Sequence, residues 1–232
     1  MRRFRTSNAL MVPRKRVFFL CGWATVGIAL TPPLGTLDHH LLIAHMLQHL
    51  LLMTVAAPLL LLGAPDRLPL PAGLHPAICW WAGTGVVMFW HVPALFALGM
   101  SSGVWHAVEH FSFLAAGLFF WWPILQPPAE PQPSMPRMAP WAAPLYLFLA
   151  TLPCDALSAF LTFCDRVVYP SYAAMPDRPF GLSALQDQQW AGTIMWVWVT
   201  FAYLAPAALI AMDLLSPPTG VRQPLPRSHH VT

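Results

Sequence analysis

The stretch Asp38 to Pro65, DHHLLIAHMLQHLLLMTVAAPLLLLGAP, decides the fold. From about Leu41 to Leu62 it reads as a membrane-spanning helix, because roughly 20 apolar residues cross the hydrocarbon core of a bilayer. Its first third carries His39, His40, His45 and His49. His45 and His49 are four apart, so they sit one turn apart on one helical face. Gln48 flanks that face and Met53 continues it one turn deeper. An imidazole pair inside a bilayer is costly unless something binds it, so the default reading is a functional site.

The rest of the chain has the same character. Of its 232 residues 57% are hydrophobic and 9% charged, and the mean hydropathy is +0.56, which excludes a water-soluble domain. Eleven tryptophans suit membrane interfaces. The net charge of +3 does not point to nucleic acid, because the basic residues cluster at the N-terminus. Cys21, Cys79, Cys154 and Cys164 form neither a CxxC nor a zinc-like spacing.

The expected architecture is all-α, a polytopic bundle of about six spans. Residues 1–36 form a basic N-terminal segment with a short, uncleaved first span over Val17 to Leu30. Residues 37–215 form the main transmembrane domain. After the second span come a third over Ala77 to Leu98 and a fourth over Val104 to Leu125. A connector with six prolines, Gln126 to Pro140, leads to the fifth span over Trp141 to Phe163. A loop from Cys164 to Leu182 follows, and Ser183 with Gln186 fits a capping box that starts the last helix, ending near Asp213. The tail, 216–232, is Pro-rich and expected to be disordered.

With six spans, ten of the twelve Lys and Arg fall on one side; Arg166 and Arg178 alone fall on the other. The positive-inside rule then places both termini in the cytoplasm. His45 and His49 occupy the outer turns of the second span, His91 lies about 10 Å deep in the third, and His106 and His110, again four apart, open the fourth from the outside. Histidines from three helices converge on one leaflet, although nothing local requires it.

Imidazole at that density suits copper, zinc or iron. The two pairs supply four nitrogens, with His91 as a fifth or a replacement, and Gln48 and Glu109 stand beside them to orient the rings. Asp187 and Gln188, at the outer start of the last helix, fall at similar depth. Met53, Met88 and Met195 offer thioethers to Cu(I), although packing is the commoner role of methionine. His39 and His40 read as solvated loop residues that help capture metal. Beside Cys154, Asp155 needs a partner within the membrane. Two other readings stand beside metal handling: a b-type haem electron carrier with axial histidines, and a metal-free scaffold that docks a partner subunit. Hydrolytic chemistry finds no nucleophile–base pair, no HExxH and no phosphate loop.

The segments HMLQHLLLMTVAAPLLLLGAP (45–65), FWHVPALF (89–96), WHAVEHFSFLAAGLFFWWPIL (105–125), VVYPSYA (167–173) and LSALQDQQWAGTIMW (182–196), in that order, resemble the CtaG family of caa3-type cytochrome c oxidase assembly factors. The resemblance implies a non-enzymatic, multi-pass protein of the bacterial plasma (inner) membrane that helps copper reach a haem-copper oxidase. It implies an oxidase subunit as client, the lipid bilayer as surroundings, an outer-side copper donor protein, and no nucleic acid. The family's positions fall on His45, Gln48, His49, His91, His106, His110, Asp187 and Gln188. Copper transfer requires exchangeable ligands, so labile binding at a site facing the periplasmic or extracellular side is expected, not a closed cage.

Overall fold

A computed structural model describes residues 6–64, 74–126, 138–175 and 178–216, with side chains from residue 14 onward. The expected disordered tail and most of the proline-rich connector lie outside the described residues. Helices α1 (Thr6–Leu30), α2 (Leu34–Leu37), α3 (Leu42–Leu51) and α4 (Ala57–Gly63) come first, with a π-helical turn at Leu52–Ala56 joining α3 to α4. They are followed by α5 (Pro76–Trp90), α6 (Pro93–Gly99), α7 (Gly103–Leu125), α8 (Ala142–Phe163), α9 (Pro170–Ala173) and α10 (Ala184–Leu215). There is no strand among the described residues.

Among the described residues five helical segments are long and apolar enough to cross a membrane, and six if α5 and α6 count as one bent span. The burial pattern is that of a protein whose solvent is lipid. Phe111 and Phe201 are 72% and 70% exposed, whereas His45, Glu109 and Asp187 are fully buried. In water the apolar groups would be inside and the ionisable ones outside.

Two elements depart from the sequence reading. The first helix is longer than Val17 to Leu30, starting at Thr6. The third span is broken at His91–Val92 by an 85° bend. Its cause is Pro93, which cannot donate a backbone hydrogen bond and drives the preceding Val92 into extended backbone, at φ −64°, ψ 124°. His91 therefore lies at the bend rather than on a helical face.

The chain passes back and forth, so the starts of α3, α7 and α10 gather at one end of the bundle. Cross-links there include the Asp187 carboxylate with the amides of Leu42 (2.8 Å) and Ile43 (3.1 Å), and Val168 N–H with Gln188 Oε1 (2.7 Å). At the opposite end Trp80 donates to the Tyr146 carbonyl (3.2 Å), and Gln126 donates to the Leu61 carbonyl (2.6 Å). Between them lies an aromatic core of Phe120, Trp121, Tyr146 and Tyr203.

Local signals account for several helix ends. Ser183 and Gln186 form the expected capping box, each side chain accepting from the other's backbone N–H at 3.2 and 2.9 Å. His75 caps α5 by accepting from Ala77 N–H (3.1 Å). The π turn precedes Pro58, whose missing N–H interrupts the helical ladder. Trp121 Nε1–H takes the Met53 carbonyl there (3.1 Å). Gly117 lets α7 approach this turn: a Cβ on it would stand 2.8 Å from the Met53 carbonyl oxygen.

Candidate metal centre

The two histidine pairs meet. α3 carries His45 and His49 with ring centroids 4.3 Å apart, and α7 carries His106 and His110, also 4.3 Å apart. Across the helices His45 stacks on His106 (5.4 Å, planes within 5°), and His49 faces His110 (5.4 Å). All four are buried. The i,i+4 spacing gives each helix a two-ring stripe, and packing of α3 on α7 sets the stripes face to face.

Glu109 reaches into this group from α7. Its Oε1 lies 3.4 Å from His45 Nε2 and 3.6 Å from His49 Nε2. Ligands on a tetrahedral ion with bonds of about 2.0–2.1 Å stand roughly 3.3–3.4 Å apart, so these separations are close to those of a coordination shell. Ligand atoms of His45, His106 and Glu109 all lie within 4.8 Å of one another. A second triad, Asp38, His39 and His106, meets the same limit and shares His106. Asp38 Oδ2 is 3.6 Å from His106 Nε2, and His39 is exposed.

The polar atoms here are short of partners. Among the described residues, ten buried side-chain nitrogens and oxygens lack a hydrogen bond, and eight of them belong to Asp38, His45, His49, His106 and Glu109. Both ring nitrogens of His45 and His49 and both oxygens of Glu109 are among them. Each such group costs about 1–3 kcal/mol of desolvation, so a concentration in one place calls for an occupant. Imidazole and carboxylate together suit a cation of the copper or zinc kind.

The surroundings fix these rings. Phe113 stacks on His49 (3.8 Å, 15°), and Phe96 of α6 meets the His45 ring edge-on (5.1 Å). Gln48 bridges helices: its Oε1 faces His110 Nε2 at 3.1 Å while its amide donates to the Ala29 carbonyl (2.9 Å). Gly99 leaves the space that Glu109 occupies, since a Cβ there would lie 2.5 Å from Oε2. Tyr172, beside α3, donates to the Asp38 carbonyl. Burial holds its phenol well above the usual range, helped by Asp38, Asp187 and Glu109, so it remains a donor. A groove of about 360 Å³ lined by Asp38, His39, Gln48, His106 and His110 opens this cluster to the surface of the bundle.

The family model of the cytochrome c oxidase caa3 assembly factors, Caa3_CtaG, matches residues 1–216. The chain belongs to that family. No curated protein and no solved structure matches it. Membership of an oxidase assembly family gives this Caa3_CtaG protein a cytochrome c oxidase as partner, a membrane as its location, and speaks for a non-catalytic role.

The structure separates the remaining predicted residues of this Caa3_CtaG chain from the cluster. His91 turns away: Nδ1–H donates to the Val87 carbonyl (2.7 Å) and Nε2 faces Met46 Sδ (3.3 Å). Asp187 caps α3 as described, and Gln188 ties the α8–α10 connection, accepting from Val168 and donating to the Arg166 carbonyl (3.0 Å). His40 is exposed. Asp155 faces Thr200 of α10 at 3.5 Å, supplying the interhelical partner that a membrane aspartate needs. Sequence reasoning missed Asp38, whose signal was a lone carboxylate directly before the His39–His40 pair, and Tyr172, within the matched VVYPSYA segment.

Proposed function

We propose that this Caa3_CtaG protein carries copper as cargo to a haem-copper oxidase, holding it between His45, His49, His106 and Glu109. The observation that carries this reading is the fully buried Glu109, both of whose oxygens lack a hydrogen bond while two imidazole nitrogens stand at 3.4 and 3.6 Å. The exposed His39 with Asp38 and His106 forms the entry stage, and the open groove beside it allows exchange with a donor. His106, common to both triads, passes the ion inwards. The groove and the partly exposed second triad support a labile site, since a closed structural cage would leave its ion no open approach.

The charge distribution supports an orientation with both termini in the cytoplasm of a bacterium and the histidine end facing outwards, because of the twelve Lys and Arg only Arg166 and Arg178 fall on that side. Copper would then enter from the periplasmic or extracellular side and leave towards an oxidase subunit within the bilayer. Haem is disfavoured, because rings 4.3–6.2 Å apart leave no space for a macrocycle between them.

The test is metal content with an absorption spectrum on detergent-purified wild type and the His45→Ala/Glu109→Gln double variant. Stoichiometric copper in wild type, lost in the variant, with parallel loss of copper from the client oxidase, is the expected result. Wild type that stays metal-free after copper loading would move the reading to a scaffold, and a Soret band would move it to a haem carrier.

A further inference from the structure

Behind the histidine cluster, at the centre of the bundle, lies a second cavity of about 30 Å³, room for one atom-sized or water-sized occupant. Its wall is rich in sulfur. Met46 comes from α3, Met53 from the π turn, Cys154 from α8 and Met195 from α10, all at most 4% exposed. His91 lines it from the bend after α5, and His49 forms the wall shared with the histidine cluster. Methionine often fills irregular core space, and that role accounts for sulfur in an apolar interior. It does not account for His91.

His91 is buried, only 7% exposed, and a hydrogen bond places its proton. Nδ1 must carry the hydrogen to donate to the Val87 carbonyl at 2.7 Å. In the neutral ring Nε2 then presents a lone pair, and what it faces at 3.3 Å is the Met46 thioether, also a lone-pair donor. Neither atom gives the other a proton. With bonds of about 2.0 Å to nitrogen and about 2.3 Å to sulfur, a separation of 3.3 Å subtends roughly 100° at a shared ion, close to tetrahedral.

We propose that His91 Nε2 and Met46 Sδ are the primary ligands of a second metal site for a soft monovalent cation such as Cu(I), completed by Cys154, Met53 or Met195 across the cavity. This rests on the reading that the chain handles metal, and deepens it by dividing the task chemically. The outer set of imidazole and carboxylate suits a harder ion; the inner set of thioether, thiol and imidazole prefers a soft one. His49, on the common wall, stands where an ion would pass between them. One monovalent cation keeps its charge through both sets: the outer imidazoles hold it loosely, and the softer inner donors draw it inwards with no change of oxidation state.

The experiment titrates full-length protein in detergent with Ag(I), a soft monovalent probe, and separately with Zn(II). Met46→Leu, a nearly isosteric change that a core tolerates, should weaken Ag(I) binding at least tenfold and leave Zn(II) binding within twofold of wild type. Glu109→Gln should do the reverse. His91→Gln provides a second variant for Ag(I), with the Zn(II) titration reporting that the fold is intact. Wild-type Ag(I) affinity in both Met46→Leu and His91→Gln, or no Ag(I) bound by wild type, overturns the proposal. Zn(II) binding that is absent, or indifferent to Glu109→Gln, would instead refute the outer site while Ag(I) dependence on Met46 keeps the inner one.

Discussion

Replacing Gly99 by alanine adds one methyl group and should disable the histidine cluster without unfolding the protein. The new Cβ would stand 2.5 Å from Glu109 Oε2 and 3.1 Å from its carboxyl carbon. Moving the oxygen out to 3.4 Å, the near edge of ordinary contact, displaces it by 0.9 Å. Metal–ligand distances tolerate about 0.2 Å, so the carboxylate would leave the coordination geometry altogether. Displacing an orienting group alone typically lowers metal affinity about 10–100-fold, and Glu109 stands nearer than that. We therefore expect at least a tenfold loss of Zn(II) affinity, about 1.4 kcal/mol. The fold should be nearly indifferent, because Gly99 ends α6 and the clash is with the end of a flexible side chain. Gly103→Ala is the matched control: its Cβ would meet nothing within 4 Å. The assay is competition with a chromophoric zinc indicator in detergent, beside thermal unfolding of both variants. Equal affinity in Gly99→Ala, Gly103→Ala and a zinc-binding wild type would refute the placement of Glu109 as a ligand.

Gly117→Ala should behave oppositely, because its Cβ would strike the backbone of the π turn at 2.8–2.9 Å, where nothing flexible can yield. A destabilisation of about 1–3 kcal/mol, read as a lower unfolding midpoint, is expected. Asp187→Ala removes the acceptor for the Leu42 and Ile43 amides and should cost about 1–2 kcal/mol of stability, with helix fraying at α3 seen by amide exchange. Unchanged exchange there would show that another group caps α3. Gln48→Leu breaks the link between His110 and the Ala29 carbonyl and should lower metal affinity about tenfold, measured by the same indicator competition.

Much of this was legible in the sequence because it is local. Period and length gave the spans, i,i+4 spacing gave both histidine stripes, and Ser183 with Gln186 announced the start of α10. What was not legible depends on tertiary direction. His91 shares a leaflet with the cluster, yet the bend at Pro93 and the hydrogen bond to Val87 turn its ring towards Met46 instead. Asp187 and Gln188 were rightly placed at the histidine end, but their side chains are engaged by backbone groups from other segments, which composition cannot reveal. Asp38 precedes the two histidines read as solvated loop and is itself buried, where Tyr172 of the α8–α10 connection, 134 residues away, donates to its carbonyl. The π turn had only Pro58 as a signal.

The cap on α3 also sets an order of events. Asp187 is synthesised 145 residues after Leu42, whose amide it receives. Until Asp187 has been made, only water or other groups can meet the first amides of α3. Its histidines are therefore carried on a fraying end through most of biogenesis.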